Sequence, residues 1–295
     1  MGVQPLAGAI GAPDRGPRLF RAGDRRSTVI STVSTVAFVG VLAAIFFLAP
    51  GSGVVRHDFF SGTHMWRAFI GNNREGLPGI GTAILLNIKM FLAAEVLILL
   101  LALVIALVRQ SSGPVMFPLR VVGTIYVDLF RGVPLLLVVY MIGNGVPALN
   151  IHFLSTQLPP VYGTAALVLS YSAYVSEVYR AGLNSVHRSQ TMAARSLGLS
   201  GWTSMRYVVL PQAVRNIVPP LLNDFISLQK DTALVGVIGA IEANQAATIY
   251  ADNQFNYSSY VVAAILFLIL TIPLARFTDH VIRRDRDRRL AGALV

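Results

Sequence analysis

Residues 29–49, 81–108, 125–147, 162–183, 213–238 and 257–281 form six long runs of mainly apolar residues. Each has about the 20 residues that, at ~1.5 Å of rise apiece, carry a helix across the ~30 Å hydrocarbon core of a bilayer. Lipid offers no partner to an open backbone amide, so runs of this kind must be helical. The predicted fold class is all-α, a polytopic membrane helix bundle of about six transmembrane helices. Two runs are interrupted, the third by Pro134 and the fifth by Pro219 and Pro220, and the second carries Lys89 and Glu95 inside it. Charged residues make up only 13% of the chain, against about a quarter in soluble domains, so a water-exposed globular architecture is excluded.

The net charge of +10 comes from 22 Arg and two Lys. In a membrane chain such an excess reads as topology rather than nucleic-acid binding, because basic residues flank the inner ends of spans. With the N-terminus in the cytoplasm, inner segments hold 19 Arg and outer loops hold three, Arg56, Arg67 and Arg74. The positive-inside bias therefore predicts that both termini are cytoplasmic. A cleavable signal peptide is the competing reading of Arg25-Arg26 and the run behind them. The length of that run, and the position of Ala43-Ala44 within it, favour a retained span.

Four regions follow: a cytoplasmic tail over 1–28, an extra span with an extracytoplasmic loop over 29–80, the principal transmembrane domain over 81–283, and a cytoplasmic tail over 284–295. The first tail, rich in Gly, Pro and Arg, is expected to be flexible. The Arg run over 283–289 reads as a stop anchor beside anionic headgroups. There is no Cys, hence no disulfide and no thiolate metal site. His57, His64, His152, His187 and His280 fall in loops or at span ends, which argues against an intramembrane metal site or a Ser-His dyad. No catalytic residue and no metal ligand is assigned.

Between the fourth and fifth runs, residues 192–211 read Met-Ala-Ala-Arg-Ser-Leu-Gly-Leu-Ser-Gly-Trp-Thr-Ser-Met-Arg-Tyr-Val-Val-Leu-Pro. Met192 to Leu197 has helical propensity, and Gly198 is placed to end that helix in a left-handed conformation. Ser200 is then a cap for a second short helix reaching Tyr207 or Val208, and Pro211 marks re-entry into the next span. The small Ala193 and Ala194 permit close approach, while Leu197, Leu199, Trp202 and Met205 are anchors for a groove. The pattern also fits an amphipathic segment lying on headgroups, with Trp202 and Tyr207 interfacial.

This segment resembles the cytoplasmic signature of the permease subunits of bacterial ABC importers: Glu-Ala-Ala, three residues, Gly, nine residues, Ile-x-Leu-Pro. Here the register is Met192-Ala193-Ala194, Gly198, Val208-Val209-Leu210-Pro211. Arg131-Gly132-Val133-Pro134-Leu135-Leu136 is similar to the Arg-Gly-Thr-Pro-Leu-Leu of the polar amino-acid branch, and the runs Ala173 to Gly182 and Asn223 to Leu234 resemble its fourth- and fifth-span signatures. Departures are Met192 for the usual Glu, Val133 for Thr, Ala233 for Ser, and the extra first span.

The resemblance implies a permease in the inner membrane that dimerises with a second permease chain, identical or not. It implies separate ATPase subunits that bind ATP and Mg, so that this chain needs no cofactor of its own, and an extracytoplasmic substrate-binding protein. Gln190, Met192, Ala193, Ala194, Leu197, Gly198, Trp202 and Pro211 become the expected ATPase-coupling positions. Met192 in place of the acid keeps shape but removes one charge-assisted contact. A small polar amino acid is the implied substrate, glutamate or glutamine first and a basic one next.

Ionisable residues at membrane depth cost about 2.5 to 3.5 kcal/mol on insertion scales, so they face a bundle interior and find partners. Lys89, Glu95, Glu177, Lys230 and Asp231 are of this kind. Lys230 lies roughly 28 Å along its helix from Pro211, toward the outer half. A zwitterion needs one group of each sign, which Lys230 and Asp231 supply, with Pro219-Pro220 breaking the helix to expose backbone. The candidate pathway is Lys230, Asp231, Glu177, Arg131, Gln229 and Tyr174. The alternatives are a purely structural network such as Lys230 with Glu177, an intrahelical Glu177–Arg180 pair, and an Arg131 that only snorkels.

No Gly-x-x-x-x-Gly-Lys-Ser/Thr loop is present, so the chain is not its own nucleotide engine. The rival readings are an integral membrane enzyme, for which only Asp128 with Arg131 approaches the needed cluster, and a channel or ion-coupled secondary transporter.

Overall fold

The computed structural model of the chain describes residues 25–292, with side chains over 28–285 except Asn73. The expected flexibility of the N-terminal tail and the far end of the Arg anchor lie outside the described residues. By packing, the chain divides into two units, residues 1–57 and 58–295.

The first unit holds α1 (Arg25–Leu48) and most of α2 (Ser52–Phe59). α1 runs through Ala43-Ala44 without a break and stops before Pro50-Gly51, where proline cannot continue a helix. Its apolar side chains are exposed around the whole circumference, as suits a helix whose solvent is lipid. Beyond it, the Ser52 hydroxyl donates to the Phe47 carbonyl at 3.0 Å.

The second unit follows as α3 (Gly62–Ile70), α4 (Ile80–Gln110), α5 (Phe117–Gly132), α6 (Leu135–Ala148), α7 (His152–Ser155), α8 (Pro159–Asn184), α9 (Arg188–Ser196), α10 (Gly201–Ser204), α11 (Leu210–Asp231), α12 (Ala243–Gln254) and α13 (Ser258–Gly292). Among the described residues there is no strand, only an isolated bridge between Asn72 and Leu77. All six sequence runs are therefore helical, but in three different ways.

α1, α4 and α13 are long and apolar enough to cross a membrane as single helices. The third run is not one span: α5 and α6 meet at 109° across Val133-Pro134, where Pro134 has no N–H to continue the ladder. The fifth run continues beyond α11 as a 3₁₀ turn, Thr232–Ile238, before α12 leaves at 48°. α8 has the length, at 26 residues, but is too polar to qualify by composition. It is packed by α4, α5, α6 and α11 and buries Ser170, Ser172 and Ser176 inside the protein, so it has little need of a lipid-facing apolar surface.

The main core joins Met90, Phe91 and Ile98 of α4 to Leu167, Tyr171 and Val175 of α8 and Leu228 of α11. Phe91 meets Phe225 edge to face at 4.5 Å. Two glycines permit the close passage of α8: a Cβ on Gly163 would lie 2.0 Å from Val235 Cγ1, and one on Gly182 would lie 2.1 Å from Ile217 Cγ1.

A second core gathers Ala68 of α3, Ile80 of α4, Tyr250 of α12 and Val262 of α13. Residues 58–79 thus pack in the same unit as the helices that follow. Between the two cores, the fully buried Glu242 caps α12 by accepting from Asn244 N–H and Gln245 N–H, both at 2.8 Å. Asn87 of α4 donates to Glu242 and to the Thr232 hydroxyl, each at 3.0 Å, and accepts from Ala243 N–H at 3.0 Å. The 3₁₀ turn and the start of α12 are therefore both tied to α4.

Candidate functional site

A cavity of about 590 Å³ lies where α8, α11 and the end of α5 meet. Its lining from α8 and the C-cap that follows it falls at Tyr174, Glu177, Val178, Ala181, Gly182 and Ser185, and from α11 at Asn216, Pro220 and Asp224. Both sets are spaced by three or four residues, as one helical face requires. Arg131 reaches the cavity from the last turn of α5 because the chain bends sharply just after it.

Three of the six expected pathway residues meet here. The Tyr174 hydroxyl donates to the Arg131 carbonyl at 3.2 Å, and the Arg131 guanidinium lies 5.8 Å from the Tyr174 ring centre. Arg131 thus does more than snorkel, since its backbone and side chain both engage α8. Glu177 accepts from Arg180 at 3.1 Å, the intrahelical pair, and also from Arg109 of α4, a partner that no local pattern signals. The Arg109 side chain is only 8% exposed, so Glu177 is committed to neutralising it.

The other three do not line the cavity. Gln229 is buried and accepts from the Thr271 hydroxyl at 2.7 Å, clipping α11 to α13. Asp231 accepts from the Tyr171 hydroxyl at 2.6 Å, clipping α11 to α8. Lys230 is exposed, and the Lys230–Glu177 network is not formed because Glu177 already holds two arginines. Lys89 is exposed and lines a separate, apolar groove with Met90 and Pro160, while Glu95 is half-buried on α4. Nor do Pro219 and Pro220 break the helix; α11 runs through both. Their cost is local: Pro220 has no N–H to give the Asn216 carbonyl, and Asn216 and Pro220 line the cavity while Pro219 does not.

Sequence reasoning missed Asp224. One of its carboxylate oxygens is buried without a hydrogen-bond partner, although the residue lines the cavity. The Asn216 amide, which donates to the Ser185 hydroxyl at 2.7 Å, was missed as well. The signal was present as the stripe 216, 220, 224 at steps of four. With Glu177 committed, the cavity offers one cation, Arg131, and one unpartnered anion, Asp224. That is the complement of a small zwitterion. Among the described residues no group of three His, Asp or Glu could hold a metal ion.

The expected coupling segment takes the shape read from its sequence as far as Ser204. α9 ends at Ser196 with Leu197 as its C-cap, Gly198 adopts φ 83°, and Leu199 N–H donates to the Ala194 carbonyl at 3.2 Å. Ser200 accepts from Thr203 N–H at 3.2 Å and caps α10. At the start of α9 the cap is His187, which accepts from Ser189 N–H at 3.2 Å, and the Gln190 side chain is exposed. Ala194 packs inward and Ala193 points out. Leu197 is 83% exposed, Trp202 73% and Met192 62%. The second helix differs from expectation: it does not stop at Tyr207 or Val208 but passes through a π turn, Met205–Val209, into α11. Leu210 N–H donates to the Met205 carbonyl, and the Gln212 amide takes the Val208 carbonyl at 2.8 Å. The wider turn makes room for the Pro211 ring, which would crowd the Tyr207 carbonyl in a regular helix.

Residues 111–287 match the family model described as binding-protein-dependent transport system inner membrane component. The chain is 35% identical over 216 residues, 72% of its length and 89% of the relative's, to the L-cystine transport system permease protein TcyB of Bacillus subtilis (strain 168). It is 34% identical over 168 residues, 57% of its length and 76% of the relative's, to the probable glutamine ABC transporter permease protein GlnM of the same organism. Among solved structures it is similar to an amino acid ABC transporter crystallised with histidines, at TM-score 0.64 and 32% identity, over 70% of this chain and 93% of that one. The methionine ABC transporter MetNI shares the fold at TM-score 0.57 and 17% identity, over 73% of this chain and 99% of that one.

Proposed function

The chain belongs to the family of binding-protein-dependent transport system inner membrane components, and from that premise we propose that it is the permease subunit of an ATP-driven importer of small zwitterionic amino acids. Relatives named for glutamine and cystine support the substrate class, and so does a cavity that presents Arg131 to a carboxylate and Asp224 to an ammonium group. The chain catalyses nothing itself. ATP and Mg are bound by separate ATPase subunits, an extracytoplasmic binding protein delivers substrate, and two permease chains form the pathway. Both termini are cytoplasmic, as the distribution of Arg predicts.

The observation that carries the reading is the hairpin of α9 and α10. Its turn is fixed by Gly198 and Ser200, yet Met192, Leu197 and Trp202 project from it with most of their surface uncovered. A rigid, apolar-tipped hairpin suits a groove in a partner. Its second arm is continuous with α11, so displacement of Trp202 moves the wall that carries Asn216 and Asp224.

Reconstitution tests this. Vesicles holding the chain, its ATPase and its binding protein should accumulate labelled glutamine or arginine only with ATP. The double variant Leu197→Asp, Trp202→Asp should no longer co-purify with the ATPase. Uptake that follows a proton gradient without ATP, or an undiminished ATPase complex in the variant, would overturn the reading.

A further inference from the structure

α11 and α13 run antiparallel and are clipped together where Gln229 meets Thr271. Over roughly 10 to 22 Å from that clip along each helix, counted at ~1.5 Å per residue, the same two helices line a cavity. Its volume is about 700 Å³, larger than the cavity beside Arg131. Its walls include Val214 and Val218 of α11 and Phe277 and Val281 of α13. Its rim carries Arg215, His280, Arg284 and Asp285. Phe277, His280, Val281 and Arg284 are spaced three, four and seven residues apart, so one face of α13 turns from apolar to cationic.

Among the described lining residues Arg215 and Asp285 are of opposite sign, which leaves Arg284, one turn along α13 from His280, as the cation in excess. The groove lies at the end of the bundle where the Arg excess is concentrated, including Arg276, Arg283 and Arg284. We propose that this groove binds one anionic phospholipid, its phosphate at Arg284 and His280 and an acyl chain along Val218, Phe277 and Val281. An apolar slot alone would take any lipid. The cationic rim selects a phosphate that is not offset by a choline, and basic pockets between helices on the cytoplasmic side are suited to such headgroups. The site is distinct from the Arg131 cavity, with which it shares no lining residue.

Native mass spectrometry of the full-length chain in detergent reads the site directly. With equal phosphatidylglycerol and phosphatidylcholine added, the chain should retain phosphatidylglycerol in preference. The double variant Arg284→Ala, His280→Ala should lose that preference by about fivefold for the loss of roughly one cationic contact, with phosphatidylcholine retention unchanged. Arg284→Lys should keep it. Equal retention of the two lipids by the unaltered chain overturns the proposal without need of any variant. So does displacement of phosphatidylglycerol by millimolar inorganic phosphate alone, which would mark a free-anion site. A change of oligomeric state in the double variant would instead assign the groove to an interface between copies, again overturning the lipid assignment.

Discussion

The Tyr171 hydroxyl of α8 donates to the Asp231 carboxylate of α11 at 2.6 Å, at the point where α11 gives way to the 3₁₀ turn. Tyr171→Phe removes the donor and leaves the carboxylate half-buried. We expect a loss of about 1 to 3 kcal/mol, the usual cost of an orphaned polar group, read as a lowered unfolding temperature in detergent. Asp231→Asn keeps an acceptor and should cost less.

Glu177→Ala should destabilise more, because Arg109 is left without its anion in a nearly dry site. With Glu177 itself 30% exposed, about 2 to 3 kcal/mol is expected, at or below the range for breaking a fully buried pair. Replacing Arg109 by Met together with Glu177 by Leu should recover most of it. A double variant no better than the single would show that Arg109 does not depend on Glu177.

Asp224→Asn changes the one unpartnered anion of the cavity without changing its shape. Transport should fall by about tenfold or more at low substrate while the unfolding temperature holds or rises, since an uncompensated charge is removed. A variant with unchanged uptake would remove Asp224 from the pathway.

Gly163→Ala should cost about 1 to 3 kcal/mol by overpacking, because its Cβ would meet Val235 Cγ1 at 2.0 Å. Gly145, where a Cβ meets nothing within 4 Å, is the matched control and should tolerate Ala.

Helicity and the α9–α10 hairpin were legible in the sequence because each rests on local chemistry. Twenty apolar residues specify a helix, and Gly198 followed by Ser200 specifies a turn and a cap. The cavity was legible only in part, because a side chain's partner across the bundle leaves no trace at its own position. Lys230 and Asp231 stood out by charge and depth, yet the helix rotation that clips Asp231 to Tyr171 turns Lys230 outward. Arg109 counts in the sequence only among the arginines of the inner segments, and it is the packing of α4 on α8 that brings it to Glu177. Pro134 announced an interruption but not its angle, and the 109° bend is what delivers Arg131 to the cavity.

The π turn at Met205–Val209 accommodates one residue more than a regular helix would need over the same rise. One residue is about 100° of azimuth. The turn therefore works as a phase keeper: the extra residue is absorbed where it stands, and the faces that carry Trp202 and Asp224 hold the relative direction of an unbroken helix. Deleting a single residue there, Val208 for example, should leave that direction nearly unchanged and instead press the proline ring against the carbonyl four residues before it. An insertion elsewhere in α11, with no such turn to absorb it, would rotate the two faces against each other by about 100°.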